Sequence, residues 1–206
     1  MINVGLVGCG NWAKTVIYEI ERNSNFNLKA VVCKNKNHLL LLNNNILKFN
    51  NIKSMVENSD LDCLYVAAKP SVNLEVFKYI KYNKLPLILE KPLANTYNEC
   101  LKIIDLAKKN NFIIFTNLPN IYSDNFKKTK DYVNKNKNNI KKIIIYEGDS
   151  KISTRNIHPI FDWGIHPISF ILKLFISDKI INIVHKKIKE DHINNKFLTK
   201  FNLIFK

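Results

Sequence analysis

The sequence predicts an α/β protein in two parts: a doubly wound parallel sheet over residues 1–118, then a short α+β domain over 119–206. Three observations predict it. As far as Asn117, short runs that are apolar throughout alternate with amphipathic stretches, the pattern of parallel strands covered by helices on both faces. A glycine turn, Gly8-Cys9-Gly10, directly follows the first apolar run and opens the first helical stretch. After Pro119 the pattern changes to a polar Lys- and Asn-rich stretch followed by longer strand-like runs.

Each element has a local reason. Residues 2–7 (INVGLV) form a β-rich run ending at glycines, and 11–23 carry Trp12, Val16, Ile17 and Ile20 on one helical side. Residues 28–33 (LKAVVC) read as a second buried strand and 37–45 as a short helix weakened by three asparagines. Residues 61–67 (LDCLYVA) form a third strand, after which Pro70 opens a helix through Asn83. Residues 86–90 are a strand, 96–110 an amphipathic helix and 112–116 a closing strand. In the second part, 122–137 read as a polar helix, Ile140–Glu147 as a long strand, 160–176 as an apolar helix, and 179–188 and 196–205 as strands.

Composition narrows the function classes. The chain has 206 residues and a formal charge of +15, from 32 Lys+Arg against 17 Asp+Glu. With 30 Lys, 31 Asn and 29 Ile but only 2 Arg, the positive charge is a compositional bias spread along the chain. Dedicated phosphate and base readers rely on the bidentate fork of Arg, so no specific nucleic-acid partner is expected. No run is long and apolar enough for a membrane span. Four cysteines (Cys9, Cys33, Cys63, Cys100) show no CxxC pair and no zinc spacing. Reduced thiols acting as small packing residues, and a cytoplasmic location, are therefore expected.

Four constellations carry possible chemistry. In Gly8-Cys9-Gly10-Asn11-Trp12-Ala13, Gly8 makes a tight turn, Gly10 lets backbone approach a pyrophosphate, and Ala13 permits close helix packing. The helix start then offers free N–H groups and partial positive charge to phosphates. At the end of the second strand, Lys34 stands where an acidic residue would hold the ribose hydroxyls of NAD. A cation there favours the 2′-phosphate of NADP, although a Lys-rich composition accounts for it equally. Glu90-Lys91-Pro92 ends a buried strand, on the side where open α/β sheets bind ligands; a plain strand-end ion pair is the alternative. Asp162 and His166 are spaced i, i+4, so one helix face could carry a carboxylate beside an imidazole and shuttle a proton. A helix cap with a packed histidine is the other reading.

Taken in order, Gly8-x-Gly10-x-x-Ala13, Glu90-Lys91-Pro92-Leu93 and Asp162-x-Gly164-x-His166 resemble the glucose–fructose oxidoreductase/inositol dehydrogenase (Gfo/Idh/MocA) family. The run Leu61–Asn117 is similar to that family nearly throughout. The resemblance implies a Rossmann-type first domain binding NAD(P), with NADP slightly favoured through Lys34. It implies hydride transfer to or from a sugar, polyol or sugar derivative. Lys91 and His166 are then catalytic, with Asp162 beside His166. Pro70 and Asn73 fall in the family's cofactor-contacting segment, and Glu90 beside its catalytic lysine. The run FDWGIHPISFILKLF is similar to a shorter subgroup associated with surface-polysaccharide sugar synthesis. A homo-oligomer through the second-domain sheet is also implied. Departures exist: Asn73 stands for the family's His, Lys69 for its first Pro and Asn120 for a frequent Arg. With the short second domain, they leave open a non-catalytic dinucleotide-binding protein, a sensor or truncated relic. A methyltransferase on the same scaffold would give Glu90-Lys91-Pro92 and Asp162/His166 no role.

Overall fold

The computed structural model describes residues 1–40, 42–140, 142–145, 161, 163–175, 180–191 and 196–205. The chain divides into two compact units, Met1–Asn117 and Leu118–Lys206.

The first unit is a six-stranded sheet of β1 (Ile2–Val7), β2 (Phe26–Val32), β3 (Leu47–Phe49), β4 (Cys63–Val66), β5 (Leu87–Glu90) and β6 (Ile114–Asn117). The strand order is β3-β2-β1-β4-β5-β6, and every neighbouring pair is parallel. The helices are α1 (Asn11–Glu21), α2 (Lys36–Leu40), α3 (Ile52–Glu57), α4 (Pro70–Val76) and α5 (Tyr97–Asn110). The chain reverses its direction of travel between β1 and β4, so a crevice opens beyond the carboxyl ends of those strands.

Alternating strand residues bury both faces. Leu6 and Val31 join one buried cluster with Ala13, Val16 and Ile20 of α1, while Val7 and Val32 join another with Met55, Leu64, Val76 and Ile103. Each fully buried Leu or Ile contributes roughly 1.5–3 kcal/mol, so the sheet is held from both sides. Helix ends follow local chemistry. Thr96 Oγ1 caps α5 by accepting from Glu99 N–H (3.2 Å), and Glu99 Oε2 accepts from Asn95 N–H (3.1 Å). Asn111 closes the same helix at φ 54°, in the left-handed region that asparagine tolerates.

The second unit contains α6 (Asp124–Asn136), α7 (Ile165–Leu174) and an antiparallel pair, β7 (Ile180–Asp191) with β8 (Lys196–Phe205). Ser123 caps α6 by accepting from Phe126 N–H (3.1 Å). The described core is small: Phe126, Val133 and Leu174 are buried, and Phe126 meets Phe170 edge-on at 4.9 Å.

Several expectations are corrected. The helix opened by Pro70 ends at Val76, because Lys78 and Tyr79 N–H groups turn to carbonyls three residues back, Glu75 and Val76. Neither β3 nor α3 was expected; Asn51 starts α3 by accepting from Ser54 N–H at 2.8 Å. Of the strand expected at Ile140–Glu147, Ile140 and 142–145 have no strand structure, and the remaining positions lie outside the described residues. Of the apolar helix expected at 160–176, Phe161 is helical and the longer described part runs Ile165–Leu174, with Gly164 as its cap. Cys9 and Cys33 are not separate thiols: they form a disulfide, their Cα atoms 5.5 Å apart. The turn after β1 and the end of β2 bring together residues separated by 24 positions. Cys63 and Cys100 remain free. No helix among the described residues is long and apolar enough to cross a membrane.

Candidate cofactor and active site

The glycine turn joins β1 to α1. Gly8 sits at φ +113°, and a Cβ there would strike the carbonyl oxygen of Ala67. Its N–H donates to Val32 O at 2.9 Å, tying the turn to β2. Gly10 is the N-cap of α1 and faces open space: nothing lies within 4 Å of a Cβ built there. No side chain caps the helix and no acid occupies its first turn, so the exposed start at Asn11 and Trp12 presents N–H groups to an anion. Ala13 is fully buried, which seats α1 close against the sheet. The cradle fits a dinucleotide's pyrophosphate.

At the carboxyl end of β5, Glu90 is only 9% exposed. Its Oε1 accepts three hydrogen bonds: from Trp12 Nε1 (2.5 Å), Tyr65 OH (2.5 Å) and Asn117 Nδ2 (2.8 Å). Asn117 Nδ2 also donates to Tyr65 OH at 2.8 Å. One carboxylate oxygen thus links α1, β4, β5 and β6 across the mouth of the crevice. Burial, then the hydrogen bond and charge of Glu90, push the Tyr65 phenol above its ordinary value, so it stays a neutral donor. Glu90 therefore positions Trp12 and Tyr65, while the sequence suggests a cofactor contact.

Lys91 follows directly, half-buried, and the Lys91–Pro92 peptide is cis. Pro70 occupies the first turn of α4 behind Lys69. Asn73, one turn on, is 1% exposed, and its Nδ2 donates to Leu93 O at 2.9 Å. It clamps the segment after Lys91. Lys34 is exposed just past β2, beside Cys33.

The structure therefore brings Gly8, Gly10, Asn11, Trp12, Ala13, Glu90 and Lys91 to the carboxyl edge of one sheet, with Lys34, Pro70 and Asn73 on neighbouring connections of the same unit. His166 belongs to the second unit. It is the second residue of α7, half-buried, with its ring 6.4 Å from that of Trp163. Asp162 lies outside the described residues, and α7 starts three positions after it, so no described helix carries the two together. Sequence reasoning missed Tyr65 and Asn117. Their signal was available: each is a polar residue in or at the end of an otherwise apolar parallel strand, near the edge where ligands bind.

Residues 2–118 match the oxidoreductase family with an NAD-binding Rossmann fold, GFO_IDH_MocA. The chain belongs to that family. Solved structures share its fold. The scyllo-inositol dehydrogenase of Lactobacillus casei, with bound NAD(H) and scyllo-inositol, is 17% identical with a TM-score of 0.77, covering 92% of this chain and 60% of its own. The myo-inositol 2-dehydrogenase of Lactobacillus plantarum is 18% identical at 0.76, covering 99% and 66%. The biliverdin reductase of Synechocystis sp. PCC 6803, in complex with biliverdin and NADP+, is 15% identical at 0.69, covering 98% and 67%. This chain thus spans 60–67% of the length of those structures. No curated protein matches the sequence.

Proposed function

We propose that the chain is an NAD(P)-dependent oxidoreductase acting on a CH–OH group of a sugar, polyol or sugar derivative, in a role such as surface-polysaccharide sugar synthesis. Residues 1–118 would hold the cofactor, and 119–206 would contribute to the substrate side and to self-association. The observation that carries the reading is the uncapped glycine loop beside the Glu90–Lys91 strand end, both at the carboxyl edge of one parallel sheet.

Gly8, Gly10 and the start of α1 bind the pyrophosphate, and Lys34 meets a 2′-phosphate. When bound, the nicotinamide supplies the hydride acceptor or donor. Glu90 holds Trp12 and Tyr65 at the mouth of the crevice, and Asn73 steadies the turn carrying Lys91. Lys91 hydrogen-bonds the reacting hydroxyl or carbonyl oxygen. In the second unit, His166 with Asp162 serves as the acid/base that takes or returns a proton. Access to inositol-like polyols is suggested by two of the structural neighbours, while the biliverdin reductase neighbour shows that the fold also serves another chemistry.

Tryptophan-to-nicotinamide energy transfer tests the cofactor half, because Trp12 lies in the first turn of α1, directly after the glycine loop. Saturable transfer with NADPH and NADH is expected, with NADPH favoured and the preference abolished by Lys34→Glu. Turnover on a panel of polyols and sugars, lost in Lys91→Met with binding retained, tests the rest. Absence of binding by folded protein would overturn the reading. A second reading, a dinucleotide-binding protein without turnover, is favoured by Asn73, whose buried amide serves the backbone at Leu93. It predicts binding with no Lys91-dependent turnover on any panel member.

A further inference from the structure

The Cys9–Cys33 bridge lies inside the cofactor cradle. Cys9 is the residue between the two loop glycines, and Cys33 directly follows β2, just before Lys34. The bond therefore joins the pyrophosphate turn to the strand end facing the adenosine ribose, if the loop is the cofactor site proposed above.

The surroundings suit reversible chemistry. His38, in α2, lies beside the pair: one ring or sulfur atom from each of Cys9, Cys33 and His38 falls within 4.8 Å of the others. Its Nδ1 is 3.0 Å from Cys9 O, which anchors the imidazole to the loop. The imidazole can accept a thiol proton when the bond opens. Bridged sulfurs offer no thiolate, so the bridged trio is no metal site. The two cysteines are unequally accessible. Cys33 is 2% exposed within the α1-side core, while Cys9 is half-buried and lines a hollow of about 310 Å³ with Lys14, Tyr18, Glu21 and His38. As a thiol, Cys33 has an acceptor ready in Asn35 O at 3.2 Å.

We propose that Cys9–Cys33 is a reversible disulfide site that sets the dinucleotide affinity of the glycine loop, with the bridged form binding more tightly. A small thiolate attacks Cys9 sulfur through the hollow. The Cys9–Cys33 bond breaks, a mixed disulfide forms at Cys9, and Cys33 leaves as a thiolate that takes a proton. A second small thiol releases Cys9 as a thiol. The small thiols leave as their disulfide, so two electrons pass to the protein. A low-molecular-weight disulfide drives the reverse reaction.

The direction follows from what is free to move. Unbonded sulfurs need van der Waals separation, so reduction must part them. Cys33 is packed in the core, with its N–H on Phe49 O (3.2 Å). The loop, flanked by Gly8 and Gly10, is the part that yields. The bridged structure has the open cradle in place, and a pinned loop pays less ordering entropy on binding. Linkage requires the reciprocal effect: bound dinucleotide must make the bridge harder to reduce by the same factor.

The test uses the whole chain, oxidised with a small disulfide or reduced with excess dithiothreitol. Peptide mapping after alkylation reads the Cys9–Cys33 link, and energy transfer reads NADPH and NADH affinity. The expected result is at least fivefold tighter binding by the bridged form, with dinucleotide shifting the thiol–disulfide equilibrium equally. Cys9→Ala and Cys33→Ala should bind like the reduced chain under both conditions. If a variant fails to fold, the comparison of oxidised and reduced wild-type chain stands alone. Equal affinities, or tighter binding by the reduced form, would overturn the inference while leaving the cofactor site intact. So would a failure of the Cys9–Cys33 link to form in oxidised protein. Binding by neither form would instead overturn the cofactor reading, and this inference with it.

Discussion

The two units bury themselves differently. The first sandwiches six parallel strands between two clusters, with Leu6, Met55, Leu64, Ile80, Leu87 and Leu89 almost wholly excluded from water. The second, among its described residues, gathers Phe126, Val133 and Leu174 between helices, while its two-stranded ribbon shows Val184 at 45% exposure. All-parallel sheets occur almost only with both faces covered, so the sequence of this one encodes burial on both sides. A two-stranded ribbon is marginal on its own, and its sequence is correspondingly less constrained. The chemistry legible without structure is accordingly concentrated in the first unit.

Core truncation is the largest expected way to break this contrast. Leu64→Ala, within the layered core, should cost about 3–5 kcal/mol, and Leu174→Ala, in the small cluster, about 2 kcal/mol, both read by denaturant melts. A larger loss for Leu174→Ala would show that the second unit is the better packed. Next is Gly8→Val. Its φ of +113° and the Ala67 carbonyl in its path should cost about 1–3 kcal/mol and abolish saturable energy transfer from NADPH, whereas a fold lost only in part would retain it.

Glu90→Gln should be milder. It keeps the shape but exchanges charge-assisted acceptance from Trp12, Tyr65 and Asn117 for neutral bonds, at about 1–2 kcal/mol by thermal melting. Tyr65 adds a pH signature. Its phenol is raised in the fold from an ordinary value of 10.0, so the folded state favours the neutral form. That stability is complete below pH 10 and is lost as pH rises above it. Tyr65→Phe should flatten this alkaline arm, and an unchanged arm would contradict the assignment. The smallest effect is expected for Glu57→Gln, which removes an exposed pair with Lys53 at 3.8 Å and should cost about 0.3–0.5 kcal/mol, fading in high salt. Lys127 with Asp124, at 3.1 Å in the second unit, should behave alike, because solvated pairs are indifferent to the core beneath them.

Much of the site was legible because its signals are local. A glycine that needs positive φ, a helix start without a cap, and a charged residue ending an apolar strand are each written within a few positions, at Gly8, Gly10 and Glu90. Element boundaries were less legible where strands are short: β3 is three residues in an Asn-rich stretch, and its apolar content, Leu47 and Phe49, is too slight to stand out. The cap at Asn51 was readable and marks α3 in retrospect.

The sequence by itself determined the alternation of strands and helices, the cradle at residues 8–13 and the placement of Glu90–Lys91 at a strand end, because these depend on periodicity and backbone preference over a few residues. Only the tertiary structure decided that Glu90 holds Trp12, 78 positions away, together with Tyr65 and Asn117, and that Cys9 meets Cys33. Those partners are set by strand order and register. Parallel pairing places the carboxyl ends of successive strands side by side, and a hydrogen bond or a disulfide forms wherever two compatible groups then arrive within reach.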